Sequence, residues 1–85
     1  MTTASGYRHI VSTRGIRGGN PRIEGTRVAV HDIVAYFLMG NSVDDIQARF
    51  PDISRAQIFE SMAYYEDHRS DIEKLVFGQI SEHAQ

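Results

Sequence analysis

The segment Gly18–Val30, GGNPRIEGTRVAV, packs three glycines, a proline and two arginines ahead of a β-branched alternation. It reads either as a phosphate-gripping loop or as the turn and strand that lead into a small helical domain. A phosphate loop needs G-x-x-x-x-G-K-[ST], or G-x-G-x-x-G between a strand and a helix, because the glycines let backbone N–H groups approach the anion. Neither pattern is present. Gly18-Gly19-Asn20-Pro21 runs into Arg22-Ile23-Glu24 and a second turn at Gly25, which favours chain reversal. The arms Tyr7–Ser12 and Arg27–Val30 are β-branched and read as strands, so a β-ribbon is expected over 7–30.

Beyond Val30 the period changes. Ile33, Val34, Phe37 and Leu38 recur at helical spacing, and Gly40-Asn41 ends that helix, placing helix one at His31–Met39. Ser42 caps a second helix, with Asp45 three residues on and Val43, Ile46 and Phe50 on one face, and Pro51 stops it. Ile53 is placed to plug the core. Ser54 and Gln57 form another capping box, S-x-x-Q, which opens a long third helix over 54–77 and leaves a tail at 78–85. Ile58, Met62, Tyr65, Arg69, Ile72 and Val76 fall alternately four and three residues apart on it, a heptad-like seam broken by Arg69. The expected fold is mainly α with a small N-terminal ribbon. It is a helix-turn-helix or winged-helix-like three-helix domain, single over 1–85, with a long C-terminal helix.

A chain of 85 residues, 41% hydrophobic, buries only about 60% of its unfolded surface. It has no cysteine, so disulfides and thiolate zinc sites are excluded, and a reducing cytoplasm and a homodimer are expected. The seam from Tyr65 to Val76 would form the dimer contact, because so small a domain would not cover it. No apolar run reaches the roughly 18 residues of a membrane span.

The net charge of −2 hides an asymmetry. Residues 1–31 carry Arg8, Arg14, Arg17, Arg22 and Arg27 against Glu24 alone; residues 32–85 carry Arg49, Arg55, Arg69 and Lys74 against ten carboxylates. The basic end suits phosphates and the acidic end a basic protein surface; a solvated helix face accounts for the acidic run equally well. Helix two, a short connection and helix three have the dimensions of a helix-turn-helix, which puts Ser54, Arg55 and Gln57 where base edges and phosphates are read. A plain helical hairpin with capping residues has the same spacing. Arg27 is read as a structural lock from ribbon to helix through Asp32 or helix-end carbonyls, and Arg22 stays open as a DNA contact. Glu66, Asp67, Asp71 and Glu73 form the candidate partner surface, with Asp67 and Asp71 at i, i+4, where like charges repel. His9, His31, His68 and His83 lack metal-ligand spacing, and no nucleophile motif is present, so neither a metal, a cofactor nor an enzymatic activity is expected.

The stretch GGNPRIEGTRVAVHDI, continued by GNSVDDIQARFPDIS, resembles the bacterial and archaeal domain-of-unknown-function family 433 over about Ile10 to Tyr65. Gly19, Pro21, Gly25, Thr26 and Arg27 stand at its signature positions, read here as fold-forming. The resemblance implies a helix-turn-helix or winged-helix-like domain. It also implies, for many members, an antitoxin role beside a PIN-like ribonuclease toxin, with no catalytic residues. The chain is therefore expected to be an antitoxin-like regulator that binds its own promoter and a PIN-like toxin, Glu66 to Gln85 serving as the toxin-binding extension. The competing class is a protein-interaction module of the same fold without DNA binding.

Overall fold

A computed structural model describes residues 2–4 and 6–83. Three short strands, β1 (Thr2–Ala4), β2 (Ile10–Thr13) and β3 (Arg22–Ile23), form an antiparallel sheet in the order β1-β2-β3. A 3-10 turn at Arg17–Gly19 lies between β2 and β3. Four helices follow: α1 (Val30–Leu38), α2 (Val43–Arg49), α3 (Arg55–Asp67) and α4 (Arg69–His83). The mainly helical architecture with a small N-terminal ribbon matches the sequence reading.

The ribbon is paired differently from that reading. Ile10 and Val11 of β2 face Ile23 and Arg22 of β3, whereas Arg27 and Val28 are not strand residues and only Ala29 bridges back to Arg22. The glycine turn explains the difference. Gly25 sits at φ +81°, a left-handed conformation that glycine adopts without penalty. Thr26 donates its N–H and hydroxyl to the Ile23 carbonyl, and its Oγ1 accepts from Val28 N–H. The segment is thereby curled into a tight loop before it can extend. Val30 then starts α1, donating to the Pro21 carbonyl at 2.9 Å, while Asp32 Oδ2 accepts the Ala29 N–H at 3.0 Å. Gly40, at φ +97°, ends α1 in a Schellman arrangement, Gly40 N–H to Phe37 O and Asn41 N–H to Tyr36 O.

The carboxylate of Asp32 also takes both ends of the Arg17 guanidinium, at 2.5 and 3.1 Å, and Arg17 donates further to the Arg27 carbonyl. The lock between ribbon and helix is therefore made by the Arg17 side chain, with Arg27 supplying only its backbone. Burial raises the Asp32 carboxyl, but the Arg17 guanidinium and the Ala29 N–H prevail, leaving it below the usual carboxylate range. Beside it His31 is buried, its Nδ1 lacking a hydrogen-bond partner among the described residues. Desolvation lowers its pKa, with Asp32 opposing and Arg17 assisting.

The single helix expected over 54–77 is two helices joined at His68. The α3 helix closes with His68 N–H on Tyr65 O, and α4 opens with Ile72 N–H on His68 O. The expected tail at 78–85 is helical as far as His83, and 84–85 lie outside the described residues. No glycine or proline marks the break, and the apolar spacing runs on through it, so periodicity alone reads one rod. The break lets α1 pack against both α3 and α4. The core, Ile10, Ile23, Val30, Ile33, Val34, Ile46, Ile53, Ile58, Tyr65, Ile72 and Val76, is at most 1% exposed at every position. The seam from Tyr65 to Val76 is thus covered by the chain itself, which removes the packing argument for a dimer.

Two outcomes follow from this packing. Ile72→Ala opens a cavity and costs about 2–5 kcal/mol of folding stability, read as a lower denaturation midpoint. Its effect would vanish if α4 were not part of the core. His31, held neutral in the folded state, makes stability complete above about pH 6.5 and progressively lost below it, as the unfolded chain takes up the proton first. Chemical denaturation from pH 7.5 to 5 should show this fall, with a flatter profile in His31→Gln; the Asp32 loss lies lower, below about pH 3.9.

Candidate nucleic-acid interface

Two helices, α2 and α3, pack together across the turn Phe50–Ser54. The turn is fixed from inside by Ile53, fully buried, and by Gln47 Nε2 donating to its carbonyl at 3.3 Å. Both helices start on complete capping boxes. Ser42 Oγ accepts Asp45 N–H while Asp45 accepts Ser42 N–H, and Ser54 Oγ accepts Gln57 N–H while Gln57 Oε1 accepts Ser54 N–H. Each box satisfies N–H groups that have no partner within the helix, and a lost cap costs about 1 kcal/mol.

The first turn of α3 therefore brings Ser54, Arg55 and Gln57 together, with Ser54 and Arg55 exposed. Arg55 is about half exposed, bonds Asp44 on α2, and lies over the Phe59 ring at 5.7 Å. Arg22 is not part of this group. It is 8% exposed, donating to the carbonyls of Ile23 and Thr26 and to Thr13 Oγ1. A guanidinium enclosed in that way is unavailable to a phosphate at the surface, so its role is to tie the Gly25 loop to β2.

The acidic candidates are also dispersed. Because α3 ends at Asp67, Asp67 and Asp71 stand on different helices and are not the i, i+4 pair that the sequence suggests. Asp67 accepts the Tyr7 hydroxyl, Glu73 accepts the Tyr65 hydroxyl at 2.6 Å, and Glu66 pairs with Arg69 at 2.5 Å. Arg69 reaches Glu73 as well and covers the Tyr65 ring at 4.9 Å. Glu66 and Glu73 thus staple α3 to α4, and Asp67 ties the end of α3 to the segment before β2. Asp71 is exposed, beside a groove of about 370 Å³ that Asn20, Pro21, Tyr64 and Lys74 help to line.

Tyr7, Tyr64 and His68 form an aromatic cluster that the sequence reading missed, Tyr64 stacking on His68 at 4.1 Å and Tyr7 meeting Tyr64 edge-on at 5.0 Å. Nearby, His9 N–H donates to Glu60 Oε1 at 2.7 Å. Tyr64 and His68 are four residues apart, but the contacts of Tyr7 and His9 join positions more than fifty residues apart, so no local pattern signals the cluster. The Asp67 carboxylate holds the Tyr7 phenol as a donor and pushes its pKa up to about 12. Among the described residues no His, Asp or Glu group is placed to hold a metal ion, and no helix is long and apolar enough to cross a membrane.

Two capped helices across a buried turn, behind a small antiparallel ribbon, define a helical domain of the helix-turn-helix kind. The chain belongs to the family described as Protein of unknown function (DUF433), whose model matches residues 10–65. It is similar to a DUF433 member protein from Anabaena variabilis ATCC 29413, whose crystal structure superposes with a TM-score of 0.77 at 29% identity, covering 80% of this chain and 67% of that one. It is also 32% identical over 73 residues to Uncharacterized protein y4eO of Sinorhizobium fredii (strain NBRC 101917 / NGR234). That match takes in 86% of this chain and 33% of the length of that relative.

Alkaline titration followed by tyrosinate absorbance tests the junction. Tyr7→Phe should remove an ionisation near pH 12 from the titration curve. A Tyr7 that ionised near 10 would show that the Asp67 bond is not formed in solution.

Proposed function

We propose that the chain is an antitoxin-like DNA-binding regulator of the cytoplasm, which meets its own promoter through the α2–turn–α3 unit and neutralises a PIN-like ribonuclease through its acidic helices. The observation that carries the reading is the solvent-facing first turn of α3, with Ser54, Arg55 and Gln57 on a rigid, doubly capped pair of helices. The Arg55–Asp44 bond does not block such a role. Both side chains are exposed, and an exposed ion pair is worth no more than about 1 kcal/mol, so exchanging Asp44 for a phosphate or a guanine edge costs little. The part-buried carboxylates, Asp32 with Arg17 and Glu73 with Tyr65, have structural partners, which supports a binding protein over an enzyme.

Exposed Glu66 and Asp71 give the partner surface its charge, and a toxin covering them would lower the repulsion of DNA by the acidic half. Phe37, Leu38, Met39, Phe59 and Phe77 are 43–64% exposed. They favour a second reading, a protein-interaction module without DNA binding, and they supply apolar area for a homodimer.

Gel-shift titration against the promoter at two salt concentrations separates the readings. Wild type should bind weakly and with strong salt dependence, better with the toxin added, and Arg55→Ala should bind roughly tenfold more weakly, the loss of one good contact. Equal binding by the two proteins would move the DNA surface away from α3. No shift with or without toxin would leave the interaction module.

A further inference from the structure

We infer that the phosphodiester backbone of duplex DNA is gripped by a second edge, built from the β2 end, the Gly25 loop and the end of α2, with Arg14, Arg27 and Arg49 as its contacts; this rests on the DNA-binding reading above. The placement comes from contacts on the inner side of the edge. The Arg22 guanidinium bridges Thr13 Oγ1 at 2.8 Å and the Thr26 carbonyl at 3.3 Å, so the segments carrying Arg14 and Arg27 lie side by side. Thr26 and Val28 in turn line a cleft of about 180 Å³ with Arg49, Phe50, Pro51, Asp52 and Ile53, which brings in the last turn of α2. The cleft thus runs between the loop and the turn of the helix-turn-helix.

Charge selects the partner. Arg17, Arg55 and Arg69 are neutralised by Asp32, Asp44 and the Glu66/Glu73 pair. Arg14, Arg27 and Arg49 are exposed, and none is paired with a carboxylate among the described residues. Arg22 adds a buried cation, whose hydrogen bonds among the described residues go to neutral oxygens and whose Nε has no partner there. Against these four stand Glu24 and Asp52; Asp44 and Asp45 are at the far end of α2. A buried cation without a counter-charge raises the potential at the surface above it and draws an anion there. Arg27 fits this role for a further reason. Its backbone carbonyl serves the Arg17 lock while its side chain, exposed, makes no hydrogen bond among the described residues. Arg49 is held in place by the Tyr36 ring, 5.4 Å from its guanidinium, which limits the entropy lost on contact.

Fluorescence anisotropy with a short labelled duplex of arbitrary sequence, titrated across a range of salt, reads this edge directly. Each phosphate contact contributes about 0.9 to the slope of log affinity against log salt, so Arg14→Gln/Arg27→Gln/Arg49→Gln should lower the slope by about 2–3. The corresponding triple lysine variant should keep the wild-type slope. Arg14→Gln/Arg27→Gln, which leaves the Tyr36 contact intact, should lower it by about 2 and serves if the triple variant unfolds. A wild-type slope in folded glutamine variants, with Arg55→Ala still impaired, would overturn this edge and leave the α3 reading standing. Absence of any duplex binding by wild type would overturn this edge, and the α3 reading falls with it if the promoter is not shifted with toxin either. Tighter binding to polyglutamate than to the duplex would overturn it in favour of an acidic protein partner.

Discussion

The bond between Arg17 and Asp32 fixes how the two halves of the molecule meet. Asp32 sits in the first turn of α1, where a carboxylate is favoured by the unsatisfied N–H groups and the helix dipole. Its oxygens are shared between the Ala29 N–H and the Arg17 fork. Arg17 reaches that position because its own backbone is left-handed, at φ +49°, followed by Gly18 and Gly19, also at positive φ. The strained run is held from the other side by the Arg27 carbonyl. One arginine therefore ties the turn after β2 to the first turn of α1 and to the end of the Gly25 loop. The Ile23–Val30 part of the core depends on all three.

The legible parts of the sequence were those governed by neighbours in the chain. Ser42 with Asp45, Ser54 with Gln57, Gly40-Asn41 and Pro51 set helix ends through contacts of one to five residues, and each does so in the structure. Gly25 as a turn belongs with them. The illegible parts depended on distance. Nothing local distinguishes Arg17 from Arg27 as the partner of Asp32, and nothing near His68 announces a break, because the four-and-three spacing of Tyr65, Arg69, Ile72 and Val76 suits a bent pair as well as a rod. What distinguishes them is α1, which accepts both helices.

The candidate site was legible by chemistry and less so by burial. Ser54, Arg55 and Gln57 stand together as their spacing required. Arg22 is withdrawn into the loop, and Asp67 and Glu73 are engaged by tyrosines. Charge counts read from a sequence treat every ionisable group as a free surface charge. Here Glu66 and Glu73 serve the α3–α4 junction and Arg17 and Arg22 serve the ribbon, so fewer charged groups are free to touch a partner than composition suggests.

The junction at His68 carries a consequence for how this domain tolerates changes in length. A loop absorbs an inserted residue by bulging, but a joint of one residue between helices has no slack. Each residue added or lost there turns everything downstream by about 100° around its axis. Ile72 and Val76 would swing away from the core, and a carboxylate, Asp71 after an insertion or Glu73 after a deletion, would take the place of Ile72. The length of the chain is thus fixed most tightly at a position where its sequence looks most ordinary.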